Sequence, residues 1–388
     1  MHTIGSAGAD ADKWAGLRRA GIRLVASILM AAFTGSALAQ VPGKDVQAPD
    51  VSLNPAVKAE VIRSLSRALR DQYVFPGVGD ELAKTLEHQN EDGDYDSVTS
   101  AREFSRLLTA HMGTIAHDAH LRVFYVYRMP PPAERGRGST PSSRVVVRKM
   151  EEDNFGFDEV QRLDGNVGYL KVTGFADPER AGPTVAAAMT LLSYTNALII
   201  DLRRNHGGSP GMVDLLASYF LPSVPPVHLN DLSWRKRGTT QHILQQFWTL
   251  PYVPGERYLN KEVFILVSHE TPSAAEEFTY DLQTLKRVVV VGEPTWGGAN
   301  PGGVVPLASH FLAFIPSGEA INPTTKTNWE GKGVQPEVKA PAKDAFGIAY
   351  KMVLQHLIAA TKDAAAQSRL RHALAAIDSD GHLPACIR

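Results

Sequence analysis

The sequence predicts an α/β core preceded by a small helical segment, and three observations support this class. Apolar residues between positions 57 and 108 recur at spacings of three and four, as in amphipathic helices. After residue 143, short β-rich runs alternate with helical patterns, which is typical of α/β layers. The 388 residues are 44% hydrophobic with a net charge of −1, so the chain can bury a core without metal or disulfide support.

The first 39 residues predict a cleaved secretory signal. A basic region ending at Arg23 precedes the apolar run 24–38, and a small-residue cleavage site ends at Ala39. The run is short for a membrane span of about 20 residues, so we expect no stable span after cleavage; an uncleaved anchor is the alternative. A secreted chain with the single cysteine Cys386 indicates a bacterial envelope, and hence the periplasm, rather than a disulfide-stapled extracellular domain.

Four further segments follow the signal, which covers residues 1–39. Residues 40–128 carry the amphipathic pattern and predict an N-terminal helical subdomain. Proline, glycine and serine dominate residues 129–143, which indicates a linker or an exposed loop. We expect the α/β core over residues 144–345 and a C-terminal helical segment over residues 346–388.

Within the core, strands and helices are expected in alternation. The predicted strands cover residues 167–172, 197–202, 263–268 and 288–292, and the last three are apolar enough to be buried on both faces. The predicted helices cover residues 183–193, 210–219, 272–285 and 345–359. In such a domain, functional loops follow the carboxyl ends of the strands.

Composition and motifs exclude several classes of function. Lys and Arg total 40 against 41 Asp and Glu, so no global charge attracts nucleic acid, and no nucleic-acid partner is expected. The sequence contains neither a dinucleotide fingerprint nor a P-loop, and a lone cysteine cannot form a cysteine-based zinc site. We therefore expect no cofactor.

The first glycine-rich loop follows the predicted strand 197–202 and contains Gly207 and Gly208. Paired glycines let the backbone approach another chain closely and turn its N–H groups toward an anion. A plain tight turn between a strand and a helix is the alternative interpretation.

The second loop places Ser273 at the N-terminus of the helix predicted over residues 272–285. The helix dipole and the free N–H groups at this position favour a developing oxyanion, which is what a nucleophilic serine requires. The alternative is a capping box, because Ser273 and Glu276 have the Ser-x-x-Glu spacing.

Two other features carry polar groups that suit a catalytic site. Glu330 lies between an aromatic residue and glycines, and a solvated loop acid is the alternative interpretation. The stretch from His117 to His120 contains two histidines and an aspartate, which could suggest a metal site. No second cluster at ligand spacing accompanies it, so we expect no metal.

Together these motifs resemble one family. The chain contains, in order, LIIDLRRNHGG, TPSAAEEF, VVGEPTWGGANPGG and NWEGKGVQPEV. This order is similar to that of the tail-specific, or C-terminal processing, serine peptidases, in the branch with the repeats of interphotoreceptor retinoid-binding protein and the tricorn protease core. The resemblance covers residues 57–359 and implies a crotonase-like ββα spiral core preceded by a helical subdomain.

The resemblance also implies site residues. Many bacterial relatives use a serine and a lysine, but Gly298 stands at the lysine position, and Lys286 is most simply a solvated residue. What remains resembles the tricorn arrangement, with Ser273 as nucleophile, His120 as general base and Glu330 as the acid. Histidine suits the role of base because its unperturbed pKa is about 6.5.

The motifs leave undetermined how the acid contacts the base and which histidine is the base. Ala119 stands where the tricorn pattern has a serine that links base and acid, so direct contact between the acid and the base is a hypothesis. His206 is the alternative base. We expect backbone N–H groups of Gly207, Gly208 and Ala274 to form an oxyanion hole.

A PDZ domain is not expected in this chain. Many relatives of the serine-lysine type insert such a domain before the core. Only 80 residues separate His120 from Asp201, including the linker and at least one core strand, and a PDZ domain needs about 90. Selection of substrate C-termini by strand addition to such a domain is therefore not expected.

These features predict a secreted serine hydrolase of peptidase type, which cleaves peptides or unstructured protein tails through an acyl-enzyme. The alternative, from a different class, is a non-catalytic binding protein on the same scaffold that holds an apolar small ligand in a cleft. The presence of Ser273, His120 and Glu330 together favours the enzyme.

Overall fold

The computed structural model describes residues 50–126 and 144–380. The predicted signal over residues 1–39, the predicted linker over residues 129–143 and Cys386 all lie outside the described residues. In the described part of the chain, no helix combines the length and the apolar character that crossing a membrane requires.

Helices and strands alternate through most of the described chain. The helices are α1 (Pro55–Gln72), α2 (Pro76–Glu91), α3 (Ala101–Ala116), α4 (Arg144–Glu152), α5 (Pro178–Leu192), α6 (Pro210–Ser218), α7 (Ala274–Thr284), α8 (Ala342–Ala360) and α9 (Ala364–Asp380). The strands are β1 (Arg122–Tyr125), β2 (Phe157–Leu163), β3 (Val167–Val172), β4 (Ala197–Asp201), β5 (His228–Arg235), β6 (His242–Trp248), β7 (Glu262–Val267), β8 (Val289–Gly292), β9 (Gly302–Pro306), β10 (Phe311–Pro316), β11 (Gly318–Ile321) and β12 (Val338–Lys339).

The helical segment consists of α1, α2 and α3, and side-chain caps define two of its helix starts. Asn54 Oδ1 accepts the N–H of Val57 at 2.9 Å before α1, and Ser100 Oγ accepts the N–H of Glu103 at 3.0 Å before α3. The apolar faces of the three helices pack together and against β1 and β10. The helical segment therefore shares a hydrophobic core with a strand that comes late in the chain.

A six-stranded sheet in the order β12-β8-β7-β4-β3-β2 forms the centre of the α/β core. Only the β2–β3 pair is antiparallel; the other neighbours are parallel. Side chains of β4 and β7 alternate between two hydrophobic cores, one shared with α5, α6 and α7 and the other with α8 and α9. This burial on both faces explains why these strands read as continuous apolar runs.

The four strands and four helices predicted in the core are all present, with one clear difference in bounds. Helix α5 begins at Pro178, five residues before the predicted start at residue 183. Asp177 caps it by accepting the N–H of Glu179 at 2.9 Å, and Pro183 is accommodated inside the helix. Helix α8 begins at Ala342 and so spans the predicted segment boundary at residue 345; the segment boundaries themselves stay predictions.

Two small antiparallel sheets complete the core and were not predicted. One has the order β1-β10-β9 and the other β11-β5-β6. The first joins the end of the helical segment to the core, because β1 pairs with β10. The stretch that ends the helical segment, including His120, is thereby brought toward the loops at the carboxyl ends of the central strands.

Candidate active site

The candidate site is assembled at the carboxyl ends of three neighbouring parallel strands, β4, β7 and β8. The chain leaves β4 toward Gly207 and Gly208, leaves β7 toward Ser273, and leaves β8 toward Gly298. A direct bond joins the last two loops, since the N–H of Trp296 donates to the carbonyl oxygen of Thr271 at 3.1 Å. The sheet topology thus gathers the loops that the sequence motifs singled out.

Ser273 is the residue before the first turn of α7, and its backbone is unusual. Its φ is 53° and its ψ is −121°, a region that side-chain-bearing L-residues rarely adopt. An ordinary N-cap residue has an extended backbone with negative φ, as Ser100 shows at −83°. Capping alone therefore does not explain the geometry of Ser273, whose backbone is strained where the chain enters α7.

Glu276 organises the surroundings of Ser273. Its Oε2 accepts the N–H of Ser273 at 2.8 Å, which is the carboxylate half of a capping box. The same oxygen accepts the N–H of Gly298 at 3.0 Å, and Oε1 accepts the Thr295 hydroxyl and the N–H of Gly297 at 2.6 Å. One buried carboxyl group therefore joins the backbone of Ser273 to the loop that follows β8.

Burial and hydrogen bonding shift the pKa of Glu276 in opposite directions. The residue is fully buried, and desolvation raises its pKa to about 7 although four donors oppose the rise. The sequence signal for Glu276 was only its spacing from Ser273. Its bonds to residues 295–298 could not be predicted from that spacing because they cross between two loops.

His120 is held by aromatic packing. Its ring stacks on Phe314 with centroids 5.5 Å apart and meets the Trp296 ring edge-on at 4.9 Å. The residue is 6% exposed, and its Nδ1 has no hydrogen-bond partner among the residues that the structure describes. Burial, with a smaller contribution from the charge of Arg122, lowers the pKa of His120 to about 3, so the imidazole is neutral at physiological pH.

Gly298 lies directly against the His120 ring. A Cβ atom at residue 298 would overlap the ring of Trp296 and would lie 2.8 Å from His120 Cε1. Any side chain here, including the lysine of the serine-lysine relatives, would displace the two rings from their present positions. The absence of a lysine side chain at residue 298 is therefore required by the present packing, because the rings of His120 and Trp296 occupy the space that this side chain would fill.

Glu330 is bound to backbone on both sides of the site. Its Oε1 accepts the N–H of Ala119 at 3.0 Å, and its Oε2 accepts the N–H groups of Ala299 at 2.6 Å and Asn300 at 3.0 Å. The acid therefore contacts the backbone of the residue before His120, where the tricorn pattern uses a serine side chain. Burial and the nearby charge of Asp118 raise the pKa of Glu330 to about 7.

Asp118 lies beside these groups and was singled out from sequence only within the stretch 117–120. Its Oδ1 accepts the N–H of His120 at 3.0 Å, and its Oδ2 accepts from Asn300 Nδ2 at 3.0 Å and from the Tyr73 hydroxyl at 3.2 Å. Burial raises its pKa. Side-chain atoms of Asp118, His120 and Glu330 lie within 4.8 Å of one another, a set that could bind a cation, although donors already use both carboxylates.

Backbone hydrogen bonds leave two of the three N–H groups that were expected to form the oxyanion hole. The N–H of Gly207 donates to Asn205 Oδ1 at 2.7 Å and is therefore already used within its own loop. Within residues 50–126 and 144–380, the N–H groups of Gly208 and Ala274 have no acceptor. A side chain at residue 208 would clash with the backbone of Phe175, so the glycine is required for this loop to pack.

The structure brings some of the predicted residues together and leaves others apart. His120 lies close to both Glu330 and Gly298. Glu276 joins Ser273 to Gly298 by accepting a backbone N–H from each. Within the described residues, however, no hydrogen bond links Ser273 and His120. His206 has an exposed side chain, and Lys286 is exposed beyond the opposite end of α7. The catalytic roles of Ser273, His120 and Glu330 stay predictions.

Two protein families match the chain. A profile described as peptidase family S41 matches residues 166–340, and one described as the N-terminal domain of peptidase S41 in eukaryotic IRBP matches residues 51–156. The resemblance inferred from the sequence motifs is therefore confirmed for both the core and the helical segment.

Relatives and solved structures agree with this match. The carboxy-terminal processing protease CtpA of Bacillus subtilis (strain 168) is 24% identical over 190 residues, which are 48% of this chain and 38% of that protein. The chain thus matches less than half of that relative's length. A putative peptidase from Parabacteroides merdae has a TM-score of 0.51 at 18% identity, covering 74% of this chain and 90% of that one. Mature CPAF has a TM-score of 0.51 at 12% identity, covering 82% and 98% respectively, and both likenesses confirm the α/β fold.

Proposed function

Because the chain belongs to peptidase family S41, we propose that it is a secreted serine peptidase that cleaves peptides or unstructured protein tails through an acyl-enzyme. The observation that carries this proposal is the backbone of Ser273, held at a φ of 53° at the N-terminus of α7. Strained backbone at a helix N-terminus is typical of a nucleophile presented to substrate.

In the proposed first step, Ser273 Oγ attacks the substrate carbonyl carbon and His120 accepts its proton. Neutral imidazole can accept a proton, but the resulting imidazolium is costly in a site that is 6% exposed. The carboxyl groups of Asp118 and Glu330 each have an oxygen within 4.8 Å of a His120 ring nitrogen, and ionisation of either carboxyl group supplies compensating negative charge. Proton transfer requires His120 and Ser273 to come within hydrogen-bond reach in the substrate complex.

The oxyanion that forms in this step needs hydrogen-bond donors. The free N–H groups of Gly208 and Ala274 are suited to the task, and the N-terminus of α7 adds its positive dipole. Collapse of the intermediate breaks the peptide bond, and His120 returns the proton to the leaving amine. Water then hydrolyses the acyl-enzyme by the same route.

Export to the bacterial periplasm is part of the proposal and is supported by the sequence alone. The basic region, apolar run and small-residue site of residues 1–39 fit a cleaved signal. N-terminal sequencing of protein recovered from a periplasmic fraction should begin at Gln40.

Substitution of the nucleophile tests the enzymatic function. Ser273→Ala should abolish both peptide cleavage and labelling by a fluorophosphonate, while changing the free energy of unfolding by no more than about 0.5 kcal/mol. His120→Ala should lower the cleavage rate by about 10²-fold or more, whereas Lys286→Ala, at an exposed residue, should leave the rate unchanged.

The same assays separate the alternatives. Equal losses in the His120 and Lys286 variants would refute the base assignment. A wild-type protein that neither cleaves nor labels would favour the non-catalytic binding protein with an apolar ligand.

A further inference from the structure

Two buried polar atoms beside Asp118 and Glu330 have no hydrogen-bond partner within the described residues. They are Nδ1 of His120 and Oδ1 of Asn300, and these residues are 6% and 3% exposed. Asn300 contacts both acids, because its Nδ2 donates to Asp118 and its backbone N–H donates to Glu330, each at 3.0 Å. Buried polar atoms are rarely left without a partner, so these two atoms point to a ligand at the cluster.

Both acids keep capacity for one more partner, although donors already contact them. An ionised carboxyl group offers about four acceptor positions. Glu330 accepts two N–H groups on Oε2 and one on Oε1. Asp118 likewise accepts two donors on Oδ2 and one on Oδ1. One further partner can therefore contact Glu330 Oε1 and Asp118 Oδ1 together with His120 Nδ1.

The spacing of these three side chains suits a single metal ion. One ligand atom from each of Asp118, His120 and Glu330 lies within 4.8 Å of the other two. Ligand atoms of a tetrahedral Zn²⁺ ion lie about 2.1 Å from the metal and hence about 3.4 Å apart, so the three need to approach by about 1.4 Å at most. Glu330 is only half-buried, so the cluster is open to solvent on its side. Sequence spacing did not predict this set, because Glu330 comes from the distant loop between β11 and β12.

No cation neutralises the two acids within the part of the chain that the structure describes. Neither Asp118 nor Glu330 forms an ion pair there. Arg122, whose charge acts on His120, donates its Nε to the carbonyl oxygen of Ala119 at 2.9 Å. Burial raises the pKa values of both acids, and a divalent ion beside them would oppose that rise. Imidazole and carboxylate are also ligands that Zn²⁺ uses in proteins.

We propose that Asp118, His120 and Glu330 bind one Zn²⁺ ion, and that the bound ion inhibits the peptidase by occupying its base. The inference rests on the proposed function, in which His120 accepts the proton of Ser273 Oγ. A neutral imidazole carries one proton, so a ring with a metal ion on one nitrogen carries this proton on the other. Neither nitrogen can then accept the proton of Ser273, and the nucleophile is not activated.

Zinc binding to the full-length Ser273→Ala protein tests the site without requiring cleavage. After treatment with EDTA and its removal, Zn²⁺ is titrated in competition with a colorimetric zinc indicator. We expect His120→Phe to raise the dissociation constant of the tightest site by about tenfold or more, because even the loss of an outer partner of a metal ligand costs about 10- to 100-fold. Phenylalanine keeps the ring packing against Phe314 and Trp296 but has no ligand atom.

A second variant and a second measurement guard against a folding defect. Asp118→Asn keeps the shape of the side chain and should weaken zinc binding by about tenfold or more as well. Zn²⁺ should also raise the Tm of the Ser273→Ala protein, because an ion that binds only the folded chain stabilises it.

His269→Gln is the matched control. His269 is exposed and pairs with a single carboxylate, that of Glu293, at 2.9 Å, so it offers only two ligand groups. Its substitution should leave the tightest site unchanged. A zinc affinity that neither His120→Phe nor Asp118→Asn lowers would overturn the inference, and water would then be the partner of His120 Nδ1 and Asn300 Oδ1.

Inhibition of the wild type distinguishes this failure from failure of the proposed function. Peptide cleavage and fluorophosphonate labelling should both fall as Zn²⁺ is added, with a midpoint near the dissociation constant of the Ser273→Ala protein, and EDTA should restore them. Zinc binding at this site without a loss of cleavage would refute the inhibition. A wild type that cleaves no peptide even with EDTA, while His120→Phe still weakens zinc binding, would reject the peptidase and keep the metal site.

Discussion

At the scale of single residues, the position of His120 depends on packing instead of hydrogen bonding. Its Nδ1 has no partner among the described residues, and the acid that could orient it is bound to the backbone of Ala119. Phe314 and Trp296 confine the ring, and the guanidinium of Arg122 lies 4.7 Å from the Trp296 ring centre. The orientation of the His120 ring is therefore set by packing against its neighbours.

Gly298→Ala tests this packing. The added Cβ would overlap Trp296 and crowd His120, so both rings must move. We expect a loss of about tenfold or more in kcat and about 1 to 3 kcal/mol in the free energy of unfolding, measured by peptide cleavage and denaturant titration.

Gly303→Ala in β9 is the matched control, because a Cβ there would have no atom within 4 Å. It should retain the activity of the wild type. A Gly298→Ala variant as active as this control would show that the ring position does not matter for catalysis.

At the scale of elements, the start of α7 combines two tasks that the sequence could not separate. The Ser-x-x-Glu spacing predicts a cap, and the bond from the N–H of Ser273 to Glu276 at 2.8 Å is that cap in part. The positive φ of Ser273 is the additional feature, and it arises where the β7 loop meets the β8 loop through Glu276. Local spacing carries no information about such a contact between distant segments.

Ser273→Gly should reveal the strain at this helix start. Glycine adopts positive φ without a steric cost, so this variant should be about 1 kcal/mol more stable than Ser273→Ala, as measured by denaturant unfolding. At Ser100, where φ is −83°, the change to glycine relieves nothing and should instead cost a few tenths of a kcal/mol, on the order of 0.3. If Ser273→Gly were the less stable of the two variants at residue 273, the backbone there would not be strained.

Strands with burial on both faces were predictable, and strands of mixed character were not. The central strands β4 and β7 are apolar almost throughout, so their runs stand out in the sequence. Strand β6 is mostly exposed, β9 contains glycines and a proline, and β12 has 2 residues, so none has a clear period. Pairing of β1 with β10 joins residues as far as 192 positions apart, as Arg122 and Phe314 show (314 − 122), and is therefore visible only in the folded chain.

The motifs of the site were predictable to a similar extent. Ser273, Gly208 and Glu330 lie in loops whose sequences are distinctive. The loops with Ser273 and Gly208 follow the neighbouring strands β7 and β4, whereas Glu330 lies between β11 and β12. The contacts of Asp118 and Glu276 were missed because they depend on burial and on bonds across loops. Sequence patterns located the loops, and tertiary contacts determine which polar groups they bring together.

At the scale of the whole molecule, three carboxyl groups lie where α6, α7 and β5 meet, two in buried residues and that of Asp214 in a half-buried one. Asp214 belongs to α6, and Glu277 and Asp281 belong to α7; Asn230 of β5 donates to Glu277, and Asn322, after β11, donates to Asp281. Oδ1 of Asp214 and Oδ2 of Asp281 have no partner within the described residues. The cluster thus lies between the helices α6 and α7 and the β11-β5-β6 sheet, and it contains more hydrogen-bond acceptors than donors.

Burial, rather than pairing with a cation, decides the charge of this cluster. Desolvation, reinforced by the charge of Glu277, raises the pKa of Asp214 to about 8, and burial raises the pKa values of Glu277 and Asp281 as well. In the described residues, no lysine or arginine forms an ion pair with any of the three. Protonated carboxyls would also supply the donors that the unpartnered oxygens lack.

Stability should therefore fall as the pH rises. An unfolded Asp has a pKa of about 3.9, so between that value and about 8 the folded protein binds more protons at Asp214 than the unfolded chain does. The free energy of unfolding then decreases with pH across this window, and the contribution is lost above it.

Asp214→Asn cannot ionise, so from pH 5 to pH 9 it should lose less stability than the wild type, by about 1 kcal/mol or more, in denaturant titrations at each pH. Glu60→Gln, at an exposed carboxylate of α1, should follow the wild type. Parallel curves for wild type and Asp214→Asn would show that Asp214 is already ionised in the folded protein at pH 5, and that a cation or bound water compensates its charge.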